Sequence, residues 1–245
     1  MKLYLSVILI LFYSGSAISQ EPVSVLIVGN SLTYYNRLDR VIKDIIGCQN
    51  KQIKVNVNIQ GYPGVSLKNH IMDSLDASGG YTKSFELTKE KSPTVEIIES
   101  KCWDYLILQD GLSRDSTSYY ELKKSVETCS TEVLYFEGYS TILWSDSIRS
   151  IAVSENKLFF NNLTSKIGGK ILPVGEVFDR INAYSNNRAF WVYSFDGHPT
   201  KLGTIVIGIL IAREILVEEI NYSSLSEIFP EYKNQLYQIG RLLDK

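Results

Sequence analysis

The chain has 245 residues, of which 44% are hydrophobic and 21% charged, the balance of a globular protein with a real core. Its length allows one large domain or two small ones. Twenty-five basic against 27 acidic residues leave a net charge of −2, which argues against a nucleic-acid binder held by phosphate neutralisation. Three cysteines exclude a disulfide-dense scaffold, and 6 prolines with 16 glycines exclude a collagen-like or linker-type chain.

Residues 1–19 read as a secretory signal peptide. Lys2 supplies the positive start, Leu3 to Tyr13 form an apolar stretch broken only by Ser6, and Ala17-Ile18-Ser19 fits a small-x-small cleavage site before Gln20. An uncleaved anchor is the alternative, but the stretch is shorter than the ~20 residues a membrane span needs. The second apolar run, at 205–217, carries Arg213 and Glu214 and is also too short, so it reads as a buried helix. The expected organisation is therefore a signal over 1–19 and a single domain over 20–245. The expected location is secreted or periplasmic, with no stable membrane span after cleavage. There Cys48, Cys102 and Cys129 are free to oxidise. Cys102 and Cys129 precede neighbouring candidate strands; they either pair or remain thiols.

The mature chain alternates between two periodicities. Short apolar or period-2 runs at Val23–Gly29, Ile53–Ile59, Tyr105–Gln109, Glu132–Phe136 and Lys170–Val174 predict five strands. Helical spacing predicts helices over Leu38–Ile46, Ser66–Leu75, Thr94–Ser100, Tyr119–Thr128, Ser145–Ile167 and Leu202–Val217, with one more over 219–245 broken at Pro230. Residues 79–93 and 111–118 read as loops. Strands alternating with helices point to an α/β fold with a parallel sheet covered on both faces. In such sheets ligands bind beyond the carboxyl ends of the strands, so the segments after each strand carry the functional signal.

Gly29-Asn30-Ser31 follows the first strand and places a hydroxyl where a strand turns into a helix, although Asn and Ser are also ordinary helix caps. Gln60-Gly61-Tyr62-Pro63-Gly64 follows the second as a tight turn, with Ser66 as a helix cap. Gln109-Asp110-Gly111 closes the third with a polar amide. Asp196-Gly197-His198-Pro199 lies in a polar loop before the long apolar helix. Only two histidines occur, and His70 falls inside a predicted helix, where packing or hydrogen bonding suits it better than catalysis. His198 is the default base.

Taken together these segments resemble the sequence blocks of the SGNH/GDSL hydrolase superfamily. The likeness is to a subgroup with Gly29-Asn30-Ser31 in place of Gly-Asp-Ser. It also has a Gly64-Val65-Ser66-Leu67-Lys68-Asn69-His70 segment and the block Trp103-Asp104-Tyr105-Leu106-Ile107-Leu108-Gln109. Ile171-Leu172-Pro173-Val174-Gly175-Glu176 and His198-Pro199-Thr200-Lys201-Leu202-Gly203 extend it across nearly all of the mature chain. The resemblance implies a three-layer α/β/α fold with a flavodoxin-like, five-stranded parallel sheet. It makes Ser31 the nucleophile, His198 the general base and Asp196 the acid that orients the imidazole. It places the backbone N–H groups of Ser31 and Gly64 and the Gln109 side chain in an oxyanion hole, with Asn30 beside them at the oxyanion and substrate site. The family's acid usually lies three residues before the histidine; here Phe195 holds that position and Asp196 is only two before.

The resemblance implies a serine esterase for small acyl esters, with O-acetyl groups on carbohydrate as the natural substrate class. It requires no cofactor and no metal, and the histidines and cysteines are too few and scattered for a typical zinc site. The expected partner is a small-molecule or carbohydrate ester, with no nucleic acid. Two alternatives stay open: a non-catalytic carbohydrate-binding or surface protein that retains the fold, and an O-acyltransferase that uses the same residues.

Overall fold

Five strands, β1 (Val23–Gly29), β2 (Val55–Gly61), β3 (Tyr105–Leu108), β4 (Glu132–Phe136) and β5 (Lys170–Leu172), form one sheet in the order β2-β1-β3-β4-β5. Every pairing is parallel; Val25 lies opposite Val57 on one side and Tyr105 on the other. This computed structural model describes residues 21–72, 92–111, 114–138, 146–184, 191–194 and 196–244. The expected signal segment and residues 79–91 of the expected 79–93 loop lie outside the described residues, and Pro93 at the end of that loop opens a helix.

The apolar runs become strands because both faces of the sheet are covered. In β1, Val25 and Ile27 point into one core, and Leu26 and Val28 into the other, the alternation that a pleated strand imposes. The first core holds α2 (Leu38–Gln49), α7 (Val174–Tyr184), α8 (Lys201–Leu216), α9 (Tyr222–Ile228) and α10 (Lys233–Leu243). The second holds α3 (Leu67–Ile71), α4 (Pro93–Glu99), α5 (Ser116–Lys124) and α6 (Asp146–Ile167). The sheet is thus the middle of three layers, as expected. The apolar run at 205–217 is a buried helix, α8, packed against α2 where Gly208 lets Val41 and Ile45 approach. Among the described residues no helix is long and apolar enough to cross a membrane.

Several boundaries differ from the sequence expectation. α5 starts at Ser116, three residues before the predicted helix, because the Asp115 carboxylate accepts the Thr117 N–H and caps it. β5 ends at Leu172, and Val174 opens a helix that the apolar run Lys170–Val174 disguised. A four-residue helix α1 (Ser31–Tyr34) directly follows β1. The predicted helix over 219–245 divides into α9 and α10 around a 3-10 turn that starts at Pro230. Cys102 and Cys129 are joined in a disulfide at the amino-terminal approaches to β3 and β4, and Cys48 is a free thiol.

Candidate active site

The carboxyl end of β1 runs into a turn whose backbone is held from three directions. Asn30 caps α1: its side chain accepts the Leu32 N–H at 3.0 Å, and its carbonyl accepts from the Thr33 hydroxyl at 2.8 Å. From β3, Gln109 Oε1 accepts the Asn30 backbone N–H at 2.8 Å. From α3, the His70 ring approaches the Gly29 carbonyl at 2.9 Å through Nε2. A carbonyl only accepts, so His70 carries its proton on Nε2 and its Nδ1 accepts from the Thr94 hydroxyl at 2.9 Å. Ser31 opens α1 directly above these supports.

The buried residues in this layer have structural roles that their types alone do not reveal. His70 is wholly buried, and burial pushes its pKa down, opposed by the Gly29 carbonyl and the Asp110 charge. It is a hydrogen-bonding residue, as its helical position suggested. Asp110 Oδ1 accepts the Leu67 N–H at 3.1 Å and the Gly111 N–H at 2.9 Å, tying the end of β3 to the start of α3. Gly29 leaves room for this packing, since a Cβ there would sit 2.5 Å from Gln109 Oε1.

Gln109 requires a correction. Its expected task was to donate from its NH₂ group into an oxyanion hole. Instead the side chain is fully buried, with Oε1 held by Asn30 and Nε2 donating to the Asp110 carbonyl at 2.6 Å. The longer side chain folds back under the nucleophile turn and braces it. Asn30 commits its side-chain oxygen to the helix cap, so its NH₂ group is the part that can donate to an oxyanion or substrate. Gly64 lies exposed at the tip of the turn after β2, with φ of +66°, a conformation that glycine adopts without cost. The Tyr62 N–H donates to the Gly29 carbonyl at 3.3 Å and holds this turn beside the nucleophile turn.

The histidine arrives from the opposite end of the chain on a tight hairpin. Tyr193 and Pro199 form an antiparallel bridge, Ser194 N–H donates to the His198 carbonyl at 2.8 Å, and Thr200 then caps α8. The hairpin brings His198 Nε2 to 2.9 Å from Ser31 Oγ, across 167 residues of sequence. One face of the imidazole is stacked on Tyr35, with ring centroids 4.4 Å apart and planes within 17°.

The short spacing between Asp196 and His198 has a visible result. Asp196 Oδ2 lies 3.1 Å from Nδ1, an ion-pair distance, yet Nδ1 has no hydrogen bond, so the carboxylate sits off the line of a ring N–H. The Asp196 side chain is 60% exposed. Its other oxygen accepts from the Ser194 hydroxyl and, at 3.1 Å, from the His198 backbone N–H. The Ser194 bond first, and the His198 backbone bond second, hold its pKa down at about 2, so Asp196 stays ionised. The structure therefore brings together Ser31, His198 and Asp196, the last more loosely than an orienting acid in a buried triad.

No family model matches this sequence, and no curated protein matches it. Solved structures do. A protein assigned to the SGNH hydrolases from Slackia heliotrinireducens superposes with a TM-score of 0.58 at 13% identity, covering 79% of this chain and 99% of that one. The chain has the SGNH-hydrolase fold. An acetyl xylan esterase variant from Geobacillus stearothermophilus gives a TM-score of 0.54 at 9% identity, covering 79% of this chain and 93% of that one. A GDSL-like lipase from Parabacteroides merdae gives 0.54 at 13% identity, covering 78% and 94%. At such identities the likeness extends to the SGNH-hydrolase architecture, and the chemistry rests on this chain's own side chains.

Proposed function

We propose that this protein is an extracytoplasmic serine esterase that hydrolyses small acyl esters, with O-acetyl groups on carbohydrate as its substrate class. The observation that carries the reading is the 2.9 Å contact between His198 Nε2 and Ser31 Oγ at the carboxyl end of a parallel sheet. Ser31 Oγ attacks the ester carbonyl while Nε2 takes its proton. The negative charge that develops on the carbonyl oxygen meets the backbone N–H groups of Ser31 and Gly64. His198 returns the proton to the leaving alcohol, and an acyl-serine ester remains. Water, deprotonated by the same nitrogen, then releases the acid and restores Ser31.

The substrate class draws on the acetyl xylan esterase among the structural neighbours. The extracytoplasmic location draws on the leader-like first 19 residues and on the Cys102–Cys129 bond, which an oxidising compartment maintains. Hydrolysis of p-nitrophenyl acetate and of acetylated xylo-oligosaccharides by the wild type and by Ser31→Ala tests the reading. Turnover that disappears in the variant supports it; equal slow rates in both refute it. Acetyl transfer to an added sugar acceptor in preference to water would instead identify an O-acyltransferase.

A further inference from the structure

The proposed chemistry needs an oriented imidazole, and Asp196 is poorly placed to provide it: exposed, and off the axis of Nδ1. Two consecutive residues just after the nucleophile helix contact the histidine hairpin from the other side. Tyr35 stacks flat against the His198 ring. Asn36 Nδ2 donates to the Pro199 carbonyl at 2.8 Å and contacts Thr204 Oγ1 at 3.0 Å. One residue thus fixes the plane of the ring and the other fixes the backbone next to it.

The backbone is bent to make this possible. Asn36 and Arg37 both adopt left-handed conformations, with φ of 51° and 58°. Two non-glycine residues in succession in that region are unfavourable and persist only where the surroundings hold them, a pattern that concentrates at working sites. Asn tolerates this conformation better than most side chains. Here its amide is also the group that crosses to the hairpin.

We infer that Tyr35 and Asn36 form a clamp that positions His198 for proton transfer with Ser31, adding orientation beyond that of the exposed, off-axis Asp196 contact. They are positioning residues that act through His198. The inference rests on the esterase reading for its kinetic part only, since the clamp itself is a statement about the ordering of one ring.

The test uses the full-length mature protein and four variants: Tyr35→Leu, Tyr35→Phe, Asn36→Gly and Asp196→Asn. Glycine keeps the left-handed backbone and removes only the amide, so a loss in Asn36→Gly is not a loss of the turn. Phenylalanine keeps the stacked face. With p-nitrophenyl acetate, Tyr35→Leu and Asn36→Gly lower kcat by about 10-fold to 100-fold, with KM changed less than about threefold, the signature of a misplaced catalytic group. Tyr35→Phe stays within about threefold of wild type, and Asp196→Asn loses less than either clamp variant. The second readout needs no turnover. Because the chain has two histidines, ¹³C relaxation of labelled histidine rings reports His198 separately, with buried His70 as the internal reference. His198 ring order falls in Tyr35→Leu and Asn36→Gly, while His70 is unchanged. Unchanged His198 order in both clamp variants overturns the inference, as does a kcat loss concentrated in Asp196→Asn. A wild type that turns over no ester overturns the esterase reading, and ring order alone then decides the clamp.

Discussion

Replacing His70 by Phe preserves most of the ring volume and removes both nitrogens. Two buried groups lose a partner. The Thr94 hydroxyl, 1% exposed with its residue, keeps no imidazole acceptor, and an orphaned buried polar group costs about 1–3 kcal/mol. The Gly29 carbonyl keeps the longer 3.3 Å bond from Tyr62, so its share is about 1 kcal/mol. The expected loss is therefore about 2–4 kcal/mol, read as a lower urea midpoint at pH 7.5. The pH dependence has a definite sign. Burial lowers the His70 pKa from the usual 6.5, so the unfolded chain binds this proton first as pH falls. The stability that neutral His70 contributes is present above pH 6.5 and is lost as pH drops through the lowered folded pKa. The phenylalanine variant lacks that slope, so the stability gap narrows from pH 7.5 to pH 5. Equal midpoints at pH 7.5, or a gap that widens in acid, would refute the role assigned to this ring.

Other consequences concern the staple, the buried acid and the brace. Linking Cys102 to Cys129 across a sequence separation of 27 removes about 3.5 kcal/mol of chain entropy from the unfolded state. The double Cys→Ser variant should melt about 7–14 °C lower than wild type and be insensitive to dithiothreitol, whereas unchanged melting would contradict the staple. Glu137 is buried at the carboxyl end of β4, where it accepts the Glu176 N–H at 3.0 Å, and burial raises its pKa from 4.5 to about 6. Its contribution to stability is complete below pH 4.5 and is lost as pH rises through 6. Glu137→Gln should therefore be up to about 2 kcal/mol more stable than wild type at pH 7.5 and equal to it below pH 4.5. The opposite pH trend in urea unfolding would exclude a buried, protonatable carboxyl. Gln109→Leu orphans the Asn30 N–H and should cost about 1–3 kcal/mol in the same assay; full stability in that variant would remove the brace.

The layers were legible in the sequence because their cause is local. Val25 to Val28 form an unbroken apolar run, which a strand buried on both faces demands, and each polar turn after a strand marked the working edge. The boundaries at α5 and α7 were not legible. Ser116, Thr117 and Ser118 are weak helix formers that read as loop until the Asp115 cap is seen. Val174 continues an apolar run and becomes helical only after Pro173, with the distant Glu137 carboxylate receiving the N–H of Glu176. In the site, His198 stood out because the chain has two histidines, whereas Ser31 was pointed to only by the resemblance of its Gly29-Asn30-Ser31 block; the structure places the two side chains 2.9 Å apart. The direction of the Gln109 amide was hidden, since it depends on a backbone N–H 79 residues away. The same holds for Asn36, whose partners Pro199 and Thr204 lie 163 and 168 residues away in sequence.

The central claim is that Ser31 is a nucleophile activated by His198. Intact-mass analysis after treatment with a fluorophosphonate tests it most directly, because attack by an activated serine displaces fluoride and leaves one stable phosphonyl adduct. The account expects a single adduct on the wild type, mapped to Ser31, none on Ser31→Ala, and labelling slowed at least about 100-fold in His198→Ala. A wild type that stays unlabelled, or a Ser31→Ala variant that labels as fast, would contradict it.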